Sequence, residues 1–151
     1  MKTDTSYRLH RSMGYQLTLT ARMQERRLDE QLKTIGLTRI TWCILLAVLN
    51  EGLPNPSDIA RFVGIDRTAT SRALRQMEAD GMIRRTTGKG DGRTTLVVVT
   101  DKGYDMHRQA TPMARDNADH WLGKLTDAET LEFCRLMAKL RADEDASLKR
   151  L

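Results

Sequence analysis

Cysteine and histidine are scarce in this sequence, and their placement excludes two kinds of site. The two cysteines, Cys43 and Cys134, are far apart, without a Cys-x-x-Cys motif or a nearby histidine. A disulfide framework or a structural zinc site is therefore not expected. The three histidines, His10, His107 and His120, show no metal-ligand spacing such as H-E-x-x-H. We expect neither a metal ion nor a cofactor.

Long apolar runs and catalytic constellations are absent as well. No stretch of about 18 or more uncharged apolar residues occurs, so a membrane partner is not expected. The first residues, M-K-T-D-T-S-Y-R, lack the apolar segment of a signal peptide, and we expect a cytoplasmic protein. No Ser/His/Asp set or carboxylate pair provides a nucleophile with a base, so we expect no enzymatic activity.

What is present is a chain of single-domain length with a mild basic excess. Its 151 residues are 40% hydrophobic and 30% charged, which is ordinary for one compact domain. Residues 1–100 hold 16 Lys and Arg against 10 Asp and Glu, whereas residues 101–151 hold 9 against 10. The positive charge is thus concentrated where a nucleic-acid partner would require it, although so small an excess does not establish one.

Residues 55–81 carry the signals of two short helices joined by a tight turn. Asn55 and Pro56 are typical of a helix start, and Gly64 is typical of a helix end. Asp66 can cap a second helix, which Gly81 would stop. This order indicates a helix-turn-helix.

The helical spacing of these two segments predicts which residues face the core and which face solvent. The inward residues are Ile59, Phe62 and Val63 in the first helix and Leu74 and Met77 in the second. The outward residues of the second helix are Arg67, Thr68, Ser71, Arg72 and Arg75. Arg forks and short hydroxyls read base edges in the major groove, so we expect the first four to face the groove and Arg75 to face the backbone. An ordinary solvated helix surface is the alternative.

A basic hairpin follows the second helix. Met82 to Thr87 and Thr95 to Thr100 alternate like strands, and three glycines lie within the connection Gly88 to Arg93. Arg93 could enter the minor groove, Asp91 could orient its guanidinium, and Lys89 would project beside it. A plain surface hairpin is the alternative, while a phosphate-binding loop is disfavoured because G-x-x-x-x-G-K-[ST] is absent.

Helices are predicted on both sides of this segment. The apolar spacing indicates a long helix from about Tyr7 to Lys33 and a second, capped by Thr38, that is apolar on almost every side and runs to about Asn50. Asp101 is expected to cap a helix that Thr111-Pro112 kinks. Thr126 and Glu129 form a capping box for the last one.

The motif Asp91-Gly92-Arg93, followed by Val99-Thr100 and then Asp101-Lys102-Gly103, resembles the signature of the multiple-antibiotic-resistance regulator (MarR) family. That family has D-x-R on the wing and Leu-Thr-x-x-Gly after it; Val99 replaces the Leu here. The run I-A-R-F-V-G-I-D-R-T-A-T-S-R-A-L also matches its helix-turn-helix, with Thr70 where an aliphatic residue is usual.

The resemblance implies a mainly α fold with a small β-hairpin wing, in a single domain of residues 1–151. The winged helix-turn-helix would occupy residues 37–100, and residues 7–35 and 101–146 would supply dimerisation helices. It further implies a homodimer that represses genes from a pseudo-palindromic operator in double-stranded DNA, until a small aromatic or phenolic effector binds. The residues expected to contact DNA are Ser57, Arg67, Thr68, Ser71, Arg72, Arg75, Lys89, Asp91 and Arg93.

The effector would bind between the reading module and the dimer helices. Candidate lining residues are Met13, Leu17, Trp42, Met106, His107 and Met113, although methionine and tryptophan at helical spacing are more often plain core. Two other functions remain open: a redox-sensing regulator acting through Cys43, and an architectural DNA-binding protein without an effector. Cys43 is first interpreted as a small buried hydrophobic residue, because a sensing thiol needs exposure and a lowered pKa.

Overall fold

The computed structural model describes residues 6–88 and 94–144. Lys89, Asp91 and Arg93 lie outside the described residues. A 3₁₀ turn at Leu9–Arg11 precedes four helices, two strands and two further helices: α1 Met13–Lys33, α2 Arg39–Leu49, α3 Pro56–Val63, α4 Arg67–Ala79, β1 Ile83–Thr87, β2 Thr95–Val99, α5 Asp101–Leu122 and α6 Asp127–Arg141. This order confirms the predicted mainly α fold with a winged helix-turn-helix. No helix in the described ranges is both long enough and apolar enough to cross a membrane.

The first helix begins later than predicted. Ser12 is extended, with φ −74° and ψ 139°, and its side chain accepts a hydrogen bond from the Tyr15 backbone N–H. Leu9–Arg11 therefore forms a separate 3₁₀ turn, and α1 starts at Met13 rather than at Tyr7. The serine interrupts the continuous apolar pattern, because its side chain satisfies a free backbone donor only when the chain leaves the helix there.

Helix α2 lies at the centre of the core, although only part of its circumference is fully buried. Ile44, Leu45 and Ala47 are 0% exposed, whereas Cys43 and Leu46 are only half-buried. A helix that is apolar on almost every side is expected to be buried all round, and for α2 that expectation was too strong. Its cap is as predicted, because the Thr38 side chain accepts a hydrogen bond from the Thr41 backbone N–H.

Helix α3 begins and ends where the sequence indicates, but one of its predicted core residues is exposed. Gly64 has φ +81° and ends the helix in the left-handed region that glycine adopts at little cost. Phe62 is 49% exposed, and Ala60 is buried instead beside Ile59 and Val63. At about 100° per residue, Phe62 lies roughly 100° away from the centre of that buried arc. Placing it in the core was wrong.

The two strands form an antiparallel hairpin in which Ile83 pairs with Val99 and Thr87 with Thr95. Val97 and Val99 face the core at 2% and 9% exposure. The Thr100 side chain accepts a hydrogen bond from the Gly103 backbone N–H, so Thr100, and not Asp101, caps α5. Thr100 remains extended because its own backbone N–H still donates to the Met82 carbonyl.

Ion pairs attach α1 to the helices on either side. Arg39 of α2 contacts Glu25 at 2.9 Å and Asp29 at 2.8 Å, and Arg27 contacts Asp116 of α5 at 3.0 Å. Helix α5 continues through Pro112 without interruption; whether it bends there remains a prediction.

The last helix packs little against the rest of the chain. Its capping box is confirmed, since Thr126 accepts from the Glu129 backbone N–H and the Glu129 side chain accepts from the Thr126 backbone N–H. No residue of α6 is buried. Five large apolar residues of α6 and of the turn before it are 37–74% exposed: Leu125, Leu131, Phe133, Leu136 and Leu140.

Candidate nucleic-acid interface

Helix α4 presents the predicted polar face to solvent because its other face is fixed in the core. Leu74 and Met77 are 2% and 0% exposed. Thr70 is also buried. Its hydroxyl donates to the Asp66 carbonyl at 2.8 Å, so this buried polar side chain has a hydrogen-bond partner. The residues left on the exposed side include all five predicted ones: Arg67, Thr68, Ser71, Arg72 and Arg75.

The three arginines of that face carry charge that the described part of the chain does not neutralise. Arg67, Arg72 and Arg75 make no ion pair with any residue in the ranges 6–88 and 94–144, whereas nearby Arg61 and Arg85 are paired with acidic side chains. An exposed, unpaired guanidinium keeps its donors available for a carboxylate, a phosphate or a guanine edge. The arrangement favours an anionic partner lying along α4.

A cleft of about 380 Å³ lies where the first turns of α3 and α4 meet the start of β2. Helix N-termini carry partial positive charge and free backbone N–H groups, so two of them beside one cleft favour an anion such as phosphate. The lining residues are Asn55, Pro56, Ser57, Arg67, Thr70, Ser71, Thr94 and Thr95. The structure thus brings Ser57, Arg67 and Ser71 together, as the predicted DNA-binding set requires.

The sequence did not place Asn55, Thr94 or Thr95 in this cleft. Asn55 was interpreted only as an N-cap, yet its side chain makes no capping bond, and its Oδ1 is buried without a partner among the described residues. Thr95 was interpreted only as a strand residue, and Thr94 was given no role. The available signal was the polar character of the residues just before α3 and at the start of β2. These residues are distant in sequence and meet only in the folded chain, so no local pattern predicts that they are close.

The predicted effector residues are only partly brought together. The rings of Trp42 and His107 are 5.3 Å apart, and His107 Nε2 lies 3.0 Å from Asn50 Oδ1. Burial lowers the pKa of His107 below its ordinary value, so the ring is mainly neutral near pH 7. Met13 and Leu17 are 64% and 45% exposed.

The described part of a single chain does not enclose all six predicted effector residues in one pocket. Met106 is buried and Met113 packs against the core. Met13 and Leu17 lie on the exposed part of α1 near its start, so a shared pocket would need a second chain to cover them.

Cys43 does not have the environment of a reactive thiol. It is half-buried, and burial raises the pKa of its thiol although the charge of Arg39 opposes that rise. Because the thiolate is the reactive form, this environment disfavours peroxide chemistry at neutral pH.

Comparison with known proteins agrees with this geometry. Residues 35–94, which extend from just before α2 to just before β2, match the model of the MarR family. Over this segment the chain is similar to the MarR family. It is 22% identical to the uncharacterised HTH-type transcriptional regulator YwoH of Bacillus subtilis, over 85% of this chain and 93% of that protein.

Two solved structures extend the comparison over most of this chain. The organohalide-sensing transcriptional regulator RdhR-CbdbA1625, in its 2,4-dichlorophenol-bound form, superposes with a TM-score of 0.82 at 21% identity and covers 97% of this chain and 89% of that one. A cysteine-to-serine mutant of MarR from E. coli, complexed with operator DNA, gives 0.78 at 21% identity, covering 85% and 92%. These likenesses show the fold, which agrees with the match of residues 35–94 to the MarR family.

Proposed function

We propose that this protein is a homodimeric, sequence-specific repressor that places α4 in the major groove of a pseudo-palindromic operator. The observation that carries the proposal is the exposed face of α4, where three arginines have no acidic partner in the described ranges. In the proposed complex Arg67, Thr68, Ser71 and Arg72 face base edges, and Arg75 contacts the backbone. Ser57 contacts a phosphate from the N-terminus of α3. The wing residues Lys89, Asp91 and Arg93 keep the roles predicted from the sequence.

The second subunit is proposed from apolar surface that one chain leaves uncovered. Helix α6 has no buried residue, and the first half of α1 exposes Met13, Leu17, Leu19 and Met23 by 40–64%. A second copy that covers both helices would remove this surface from water, which is the main favourable term in association. Two α4 helices would then read half-sites about 34 Å apart, one turn of duplex.

A small aromatic or phenolic molecule is the proposed effector. One MarR-fold neighbour is described with 2,4-dichlorophenol bound. In this chain the Trp42 ring lies beside a mainly neutral His107, which offers a stacking surface and a hydrogen-bonding nitrogen to a phenol. In a dimer, α1 of the second subunit would cover Met13 and Leu17 and would complete the effector site.

Replacing Arg72 tests the proposed role of α4. We expect Arg72→Ala to reduce the preference for the operator over random duplex by about tenfold, since a bidentate guanine contact contributes roughly 1–3 kcal/mol of discrimination. Fluorescence anisotropy with both duplexes measures it. Arg61→Ala is the matched control, because Arg61 is exposed on α3 and already pairs with Asp58. Equal losses on both duplexes would reassign Arg72 to phosphate contact.

Thermal shift with 2,4-dichlorophenol as probe tests the effector site. Saturating phenol should raise the melting temperature and weaken operator binding, since a ligand that prefers one state stabilises it by mass action. His107→Ala should abolish both responses, whereas Tyr104→Ala, which removes an exposed ring from the same helix, should keep them. A phenol response that survives in His107→Ala would place the site elsewhere.

A further inference from the structure

Glu78, near the end of α4, holds the first strand of the hairpin through three hydrogen bonds. Its carboxylate accepts from the Arg85 backbone N–H at 3.0 Å, from Arg85 Nε at 2.9 Å and from Arg85 Nη2 at 2.5 Å. The two side chains are each 36% exposed. A carboxylate that binds a backbone N–H and a guanidinium fork at once fixes distance and angle together.

The opposite edge of the hairpin is held as well. The Val97 backbone N–H donates to the Pro54 carbonyl at 2.9 Å, just before α3 begins. Arg85 and Val97 are paired across the two strands. The paired residues Arg85 and Val97 therefore connect the hairpin to α4 through β1 and to Pro54, just before α3, through β2.

We propose that Glu78 is a positioning residue for DNA recognition: through Arg85 it sets the angle between α4 and the hairpin, so that both reach the same duplex. This inference rests on the proposed function. Rotation of β1 about its buried end at Ile83 would displace Arg85 and every residue beyond it. A half-exposed ion pair contributes little to the free energy of unfolding, so its main effect is on this geometry.

The simpler alternative predicts a result of opposite sign. If Glu78 were only a surface acid, its neutralisation would remove a negative charge from a DNA-facing helix and free Arg85 to contact phosphate. Both changes would strengthen binding to a polyanion. The positioning role predicts weaker binding in spite of the added positive charge.

The experiment compares wild type, Glu78→Gln and Arg85→Lys on a duplex from the region upstream of the protein's own gene. Dissociation constants are measured by anisotropy, and contacts are mapped by dimethyl sulfate, which methylates guanine N7 in the major groove and adenine N3 in the minor groove. We expect about tenfold weaker binding in both variants, which corresponds to the loss of one charged contact between the displaced hairpin and the DNA. Adenine N3 protection should fall while guanine N7 protection and melting temperature stay at wild-type values.

The control is Asp105→Asn, which breaks an ion pair with Arg108 within one helix and connects no two elements. It should leave affinity and both protections unchanged. Unchanged or tighter binding by Glu78→Gln would overturn the inference while leaving the proposed function intact. A parallel loss of both protections with a lower melting temperature would also overturn it, since that is a folding role. Failure of the wild type to bind any duplex would instead defeat the proposed function.

Discussion

Gly103 shows at the scale of one residue why the motif that ends the hairpin contains glycine. A Cβ placed there would lie 2.2 Å from the Met82 carbonyl oxygen and 2.6 Å from Val99 Cγ1. The start of α5 thus packs directly on the backbone that leads into β1. The resemblance predicts a glycine at this position only as part of a motif. The close contact with Met82 explains why a side chain does not fit there.

We expect Gly103→Ala to destabilise the fold by about 1–3 kcal/mol, because overpacking displaces either the helix or the strand. Urea unfolding followed by circular dichroism measures this. Gly14→Ala is the matched control, since nothing lies within 4 Å of a Cβ at that position of α1, and alanine should be neutral or stabilising by up to about 1 kcal/mol. A Gly103→Ala protein as stable as wild type would contradict the observed packing.

Cys43 and Phe62 are less buried than the sequence predicts. Cys43 was interpreted as a core residue and is half-buried with a raised thiol pKa. Phe62 was placed in the core because its spacing fits, yet α3 is only eight residues long and buries Ile59, Ala60 and Val63. A short helix has a narrow buried arc, and apolar spacing alone does not locate its centre.

At the scale of elements, caps and breakers predicted most boundaries. Pro56 with Gly64, and Asp66 with Gly81, bracket α3 and α4, because these residues act on the backbone next to them. The start of α5 was harder, since Thr100 and Asp101 are adjacent cap formers. The choice depends on the bond from the Thr100 N–H to the Met82 carbonyl, which joins residues 18 positions apart and has no local signal.

The sequence predicted one part of the candidate interface and not the other. Its α4 face was predictable because helical period determines which side chains turn outward once the core side is known. The cleft was not, because Asn55 and Thr95 are distant in sequence and meet only when the hairpin packs beside α3. The Glu78–Arg85 attachment is likewise a contact between elements, and neither residue is distinctive in its own helix or strand.

At the scale of the whole molecule, the uncovered apolar faces of α1 and α6 and the exposed arginines of α4 have one common explanation. The exposed leucines and Phe133 of α6 cost free energy in water unless another surface covers them. A twofold copy would cover them and would also double the proposed DNA-reading face, so that dimer formation and operator symmetry would follow from the same contact. The dimerisation helices and the operator remain proposals that one experiment addresses together.

That experiment is sedimentation velocity of the protein with a fluorescent duplex from upstream of its own gene, repeated over a series of salt concentrations. We expect a complex of two chains per duplex, formed by a protein that is already dimeric alone. We also expect log affinity to fall with log salt at a slope of about −0.9 for each phosphate contacted. A protein that sediments as a single chain and binds no duplex, or binds one with no salt dependence, would contradict the proposed function.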